Sequence, residues 1–275
     1  MLRQPARIGV LCASMLSAAA AYAQDSSMPW EKGSLQVGGF ISYTSSELRL
    51  DSPTLGIGTV VDLEDALGLE SDISTYRVDG LYRFGDSRRH QVEVHYYVSD
   101  RDGSKVTDRV LQIGDLVIPA GTGVSTNLDM WFLNVDYSYA FLQDDRVRIA
   151  GAIGLHTTNI DFSVATSGGS VEEEAITAPL PVVGVRGEVV LTERWRMKGS
   201  VDLFYLEYDN FTGGLADTFL GVEYLPTKHV GFGLGINSVR LKVEADSDDT
   251  DYPIDFTGKV KFDFTGLLLY VKGYF

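Results

Sequence analysis

The sequence predicts an all-β fold, a transmembrane antiparallel up-and-down β-barrel of about ten strands, with eight or twelve as alternatives. Three observations predict it. Segments of about ten residues recur in which apolar side chains occupy alternate positions, the period of a strand with one face in lipid. After residue 23 no apolar run approaches the ~20 residues that a spanning helix needs, so a chain that crosses a bilayer must cross as closed strands. The composition, 44% hydrophobic with 29 glycines and 27 Tyr plus Phe, does not suit a disordered chain or a charged soluble surface.

The chain opens on a basic "MLRQPAR", an apolar "IGVLCASMLSAAAA" and the small-x-small "AYA". Residues 1–23 therefore read as a secretory signal peptide cut after Ala23. Cys12 follows Leu11 and sits too early for a lipid-anchored cysteine, so it leaves with the signal and no disulfide framework remains. Arg3 and Arg7 leave too, which gives 21 basic against 38 acidic residues, a net charge of −17. Such an overall field does not draw nucleic acid or anionic lipid. Residues 24–33 form a short periplasmic leader, and 34–275 form the barrel.

Four segments alternate cleanly. In "TYRVDGLYRF", Tyr76, Val78, Tyr82 and Phe84 oppose Arg77, Asp79, Leu81 and Arg83. In "HQVEVHYYVS", Val92, Val94, Tyr96 and Val98 oppose Gln91, Glu93, His95, Tyr97 and Ser99. "LDMWFLNVDYSYAFL" sets Trp131, Leu133, Val135, Tyr137, Tyr139 and Phe141 against Met130, Phe132, Asn134, Asp136, Ser138 and Ala140. "PVVGVRGEVVL" sets Val183, Val185, Val189 and Leu191 against Arg186 and Glu188. Weaker strands are expected at 34–48, 147–162, 196–208, 215–225, 229–244 and 258–275. In 229–244 the apolar face changes between Ile236 and Val239, and a bulge near Asn237 and Ser238 is expected to cause it.

Short polar turns at "GDSRR", "QDDR", "TERW" and "PTK" alternate with longer joins at 51–73, 101–127, 165–177, 209–214 and 246–256. That places short turns in the periplasm and long loops outside. In the first long loop a helical turn or two is expected, with Asp62 as its cap, Leu63, Ala66 and Leu67 on one face and Gly68 at its end, a segment that lids the barrel mouth or binds a partner, or else packs the loop on itself. The last loop gathers Asp246, Asp248, Asp249, Asp251 and Asp255, oxygen donors that suit Ca²⁺ or Mg²⁺. It lacks the glycine and distal glutamate of an EF-hand, so a diffuse acidic rim with Glu172, Glu173 and Glu174 is expected, able to share divalent ions with lipopolysaccharide phosphates.

The terminal "LLLYVKGYF" puts Leu267, Leu269, Val271 and Phe275 on one face. It resembles the C-terminal targeting signal of bacterial outer-membrane barrels, departing from it at Gly273, and the resemblance implies capture by the barrel-insertion machinery. The chain also resembles a family of uncharacterised Gram-negative outer-membrane barrels. The pieces that carry this are "VDLEDALGLESD", "YRFGDSRRHQVEVHYY", "GLHTTNIDF", "APLPVVGVRGEVVLTERWRMKGSVDLFYLEY" and the closing strand. The resemblance implies a fold and an outer-membrane location, with outer-membrane lipids and lipopolysaccharide as surroundings, and no established activity.

Inward-facing charges are the candidate site. The bases are Arg77, Arg83, Arg148, Arg186, Lys198 and Lys272; the acids are Asp79, Glu93, Asp136, Glu188, Asp202, Asp217 and Glu223. The set is almost neutral, and buried charges are costly unless paired, so a salt-bridged, largely filled lumen is expected, with Arg186 and Glu188 two apart on one face and Asp136 two strands away. The alternatives are a narrow channel for small polar solutes or ions and a lipid-modifying barrel hydrolase. His95 and His156 point inward and are the natural acid–base candidates, whereas His90 and His229 sit beside turns. No histidine lies in a long loop, which disfavours barrel proteases of the omptin type, and no same-face serine accompanies His156. The sequence calls for no cofactor and no catalytic set.

Overall fold

The computed structural model describes residues 30–52, 58–208, 211–245 and 258–275. The signal peptide, most of the leader and the acids Asp246, Asp248, Asp249, Asp251 and Asp255 lie outside the described residues.

The barrel strands are β1 (Gly33–Leu50), β3 (Asp72–Phe84), β4 (His90–Val106), β7 (Gly123–Gln143), β8 (Val147–Thr166), β9 (Val171–Val190), β10 (Trp195–Tyr208), β11 (Phe211–Tyr224), β12 (Val230–Ala245) and β13 (Gly258–Tyr274). Consecutive barrel strands pair antiparallel and β13 pairs with β1, closing a ten-stranded barrel. At the seam the Gly33 amide donates to the Phe275 carbonyl at 2.8 Å and the Phe275 amide donates back at 2.9 Å. The last residue thus completes the closing ladder, which leaves no free edge there.

Most strands are longer than the 9–11 residues that a bilayer requires, so the wall projects above the membrane. On β7 the outward face is apolar from Trp131 to Phe141 and polar at Ser125, Asn127 and Asp129. Ten residues of tilted strand rise ~25 Å, the height of a lipid belt.

This projection corrects the reading of β12. No bulge lies at Asn237 or Ser238: pairing to β11 and β13 is continuous through both residues. Gly231, Gly233, Gly235, Asn237, Val239, Leu241 and Val243 all face inward. The apolar face changes because the outside passes from lipid to water while the inside passes from polar lumen to an apolar core. The irregularity lies instead in β7, where the register to β8 shifts between Ala140 and Leu142. The expected long joins at 165–177 and 209–214 are also shorter, because β8 and β9 stay paired up to Ala165 and Val171, and β10 and β11 up to Tyr208 and Phe211.

Above the polar lumen, Phe40, Tyr97, Leu128, Met130, Phe132, Phe162, Leu180, Leu241, Phe262 and Phe264 form a continuous apolar core inside the barrel. A lid closes it. The short β2 (Val61–Asp62) leads into α1 (Leu63–Leu67), where the Asp62 carboxylate accepts from the Asp65 amide and left-handed Gly68 ends the turn. Leu63, Ala66 and Leu67, which the loop sequence placed on one face, are buried. Arg101 latches this lid: its guanidinium donates to Glu64 Oε1 at 2.6 Å and to Ser46 Oγ at 2.5 Å. A hairpin of β5 (Leu111–Ile113) and β6 (Leu116–Ile118) adds buried Leu111, Ile113 and Ile118. One wall departs from full pairing. β10 follows β9 only as far as Leu203 opposite Val183, and above that point β9 carries Pro179 and Pro181, which have no N–H to offer a ladder.

Candidate functional site in the lumen

The periplasmic half of the lumen holds the charges in two connected groups. The lower group forms a floor. Its centre is Glu31 of the leader, which is 1% exposed and meets Arg83 at 2.9 Å, Arg196 at 2.8 Å and Lys272 at 3.3 Å. Arg83 also binds Glu188, and Arg148 lies 3.5 Å from the same carboxylate. Glu223 is held by Lys198 at 2.6 Å and by the hydroxyls of Tyr270 and Tyr274, which donate at 2.9 and 2.8 Å. Trp30 packs at the floor. It is buried, its indole N–H donates to the Asp144 carbonyl at 2.9 Å, and its own carbonyl accepts from Arg88 at 2.7 Å.

The upper group centres on Arg186, which reaches Asp202 at 2.7 Å, Glu93 at 3.0 Å and Asp136 at 3.4 Å. Gly184 makes room for it: a Cβ there would lie 2.1 Å from Asp202 Oδ1 and 2.9 Å from Arg186 Nη1. His156 Nε2 sits 3.2 Å from Asp136 Oδ1. His95 Nδ1 sits 2.7 Å from Asp79 Oδ1, and Arg77 Nε donates to the same oxygen at 2.5 Å. Arg77 reaches Asp217 through Asn237, whose amide donates to Asp217 Oδ1 at 2.6 Å. Between the groups is a cavity of about 80 Å³, lined among others by Gln36, His95, Asn134, Lys198 and Asp202. Such a volume holds on the order of five waters.

All thirteen charges placed inward by alternation line this lumen, and Asp136, expected two strands away from Arg186, stands 3.4 Å from it. Arg186 does not pair with Glu188; it turns to carboxylates of β4, β7 and β10, while Glu188 faces Arg83 and Arg148. Spacing along one strand fixes a face, whereas the partner is fixed by which strands converge across the lumen. Sequence reasoning also missed Glu31, Trp30 and Arg196. A leader before the first strand has no periodicity, so only the unbalanced bases at the floor could have signalled an acid from elsewhere.

Donor atoms of Asp136, His156 and Asp202 lie within 4.8 Å of one another, a spacing that suits a metal ion. Arg186 already stands against both carboxylates and supplies the positive charge, so a cation would have to displace it. The group is a charge-paired cluster.

Burial alone would push the Glu31 carboxyl up; the charges of Arg83, Lys272 and Arg196 outweigh it and hold the group well below the ordinary carboxylate range. A depressed folded value means that the stabilisation is fully present above the ordinary value of about 4.5 and is lost as pH falls below it. Glu31→Gln is therefore expected to unfold at lower temperature than the parent at neutral pH, and the two melting curves should converge in acid. Parallel curves down to pH 3 would show that Glu31 carries no such charge.

A model of the outer membrane protein β-barrel domain matches residues 8–264. The chain belongs to that family. It is an outer-membrane barrel of Gram-negative type. No curated protein matches it in sequence. Among solved structures it is similar to the outer membrane protease OmpT from Escherichia coli, with a TM-score of 0.54 at 9% identity, over 88% of this chain and 96% of that one. It is also similar to the neisserial surface protein NspA, with a TM-score of 0.36 at 13% identity over 89% and 97% of the two chains. The transport unit of the autotransporter AIDA-I from Escherichia coli gives a TM-score of 0.43 at 9% identity over 97% and 98%. The likeness to OmpT is one of fold. In this barrel His95 and His156 lie in the lumen beneath the apolar core, and His90 and His229 lie at the periplasmic end.

Proposed function

We propose that this outer-membrane barrel is a structural, surface-presenting barrel with a plugged lumen. The observation that carries the reading is the pairing of the lumen charges. Each of Arg77, Arg83, Arg148, Arg186, Arg196, Lys198 and Lys272 has a carboxylate within 4.0 Å. Above them, among the described residues, the apolar core and the buried face of the lid stand over the polar lumen. In this reading the apolar belt meets outer-membrane lipid. The acids above it on the outer wall, Asp100, Asp129 and Asp161 paired side by side, face the lipopolysaccharide headgroups. Leu267, Leu269, Val271 and Phe275 then serve the insertion machinery during assembly. The test is conductance in planar bilayers. The parent is expected to show rare, small openings or none; a steady, ion-selective current would overturn the plugged reading in favour of a narrow channel.

A further inference from the structure

The floor of the lumen places three cations from three different strands around one carboxylate. Arg83 comes from β3, Arg196 from β10 and Lys272 from β13, and all three lie within 3.3 Å of the oxygens of Glu31. The carboxylate itself belongs to none of the barrel strands. It is delivered by residues 30–32, which run beside β3, with the Lys32 carbonyl accepting from the Arg83 amide at 2.7 Å and the Glu31 carbonyl accepting from Arg83 Nη1 at 3.3 Å. Charge-assisted contacts from arginine forks are the usual means of holding a free carboxylate or another oxyanion. The wall of the barrel thus builds an anion site, and a segment outside the wall fills it.

We propose that the lumen floor is a binding site for small carboxylate anions that the chain occupies in cis with Glu31, so that residues 30–32 act as a tethered stopper. The proposal rests on the reading of the lumen as plugged, and adds what chemistry the plug imitates. Glu188 and Glu223 already neutralise part of the surrounding charge, so the site selects an anion of one negative charge and small size. Formate and acetate match the head of Glu31. Trp30 is buried beside the site, with the Arg83 guanidinium 5.9 Å from its ring and its indole N–H held by the Asp144 carbonyl, so a competing anion takes the place of Glu31 only when residues 30–32 move.

The test is chemical rescue in the full barrel, folded in detergent or vesicles. Glu31→Ala removes the carboxylate and leaves its volume. Its melting midpoint is expected to fall on the order of 5 °C. Sodium formate at neutral pH should restore the midpoint saturably, and sodium chloride of equal ionic strength should not. The parent, whose site is filled, should respond equally to both salts. Where Glu31→Ala does not fold unaided, folding yield in formate replaces the midpoint, with Glu31→Gln as the variant that keeps the shape. Recovery specific to formate in Glu31→Ala supports the site. An equal response in parent and variant, or no recovery by formate in either readout, overturns it. Rescue is independent of the parent's conductance, so a leaky parent that still shows rescue would sink the plug and leave the anion site standing.

Discussion

Arg186→Ala is expected to destabilise the barrel by about 3–5 kcal/mol, the usual cost of removing one member of a buried ion cluster. The side chain is 7% exposed and stands between Glu93, Asp202 and Asp136, which come from three different strands. Its removal leaves three carboxylates facing one another in a lumen with little water, and like charges at that distance disfavour the folded state. Asp136 suffers most: Oδ2 accepts no hydrogen bond among the described residues and lies 3.4 Å from Arg186. An exposed pair would cost far less, ~1 kcal/mol or below. Denaturant titration of folding into vesicles distinguishes the two. Arg186→Lys should recover only part of the loss, since an ammonium cannot reach three carboxylates as a guanidinium fork does. A change below about 1 kcal/mol for Arg186→Ala would mean that the cluster is solvated, and with it the lumen.

Much of this arrangement was legible in the chain, for a physical reason. A lipid-facing barrel strand must alternate, and alternation assigns every side chain to a face once one is assigned. That is why Arg77, Asp79, Glu93, Asp136 and Arg186 could be placed in the lumen from spacing alone. The lid was legible for a similar reason: Asp62, the pair Leu63 and Leu67, and Gly68 stand at capping and packing positions that work within one turn of chain.

What was not legible depends on height. Alternation says which side a residue faces, and nothing about whether that side is membrane or water at that level. Val239, Leu241 and Val243 looked like a shifted lipid face and are the inside of the projecting wall. The sequence of β12 carries the clue in Arg240, Lys242 and Glu244, charged residues on the opposite parity, which no lipid face would bear. Partner choice was likewise out of reach: Glu31 and Lys272 are brought together by barrel closure and lie 241 residues apart.

Val135→Arg is expected to cost about 2–4 kcal/mol in folding into bilayers, because it puts a charge on the lipid face near the middle of the belt. Val135 points outward, is 43% exposed and lies between Trp131 and Tyr139, near the middle of the apolar run of β7. Leu133→Arg should behave alike. Ser138→Arg, expected from alternation alone to be the mild control, is not one: Ser138 faces the packed floor at 1% exposure, and an arginine there would overfill it. The informative control is Asn127→Arg, also outward on β7 but above the belt. Its cross-strand partner is Asp102, and Asp129 lies two residues along the same face. There an arginine meets water and two carboxylates, so the change should be near neutral or slightly stabilising. The difference between Val135→Arg and Asn127→Arg measures where the bilayer ends on the wall. Equal costs at both positions would mean that the projecting half sits in lipid, and the whole division into a membrane-embedded polar lumen and an extracellular apolar core would fail.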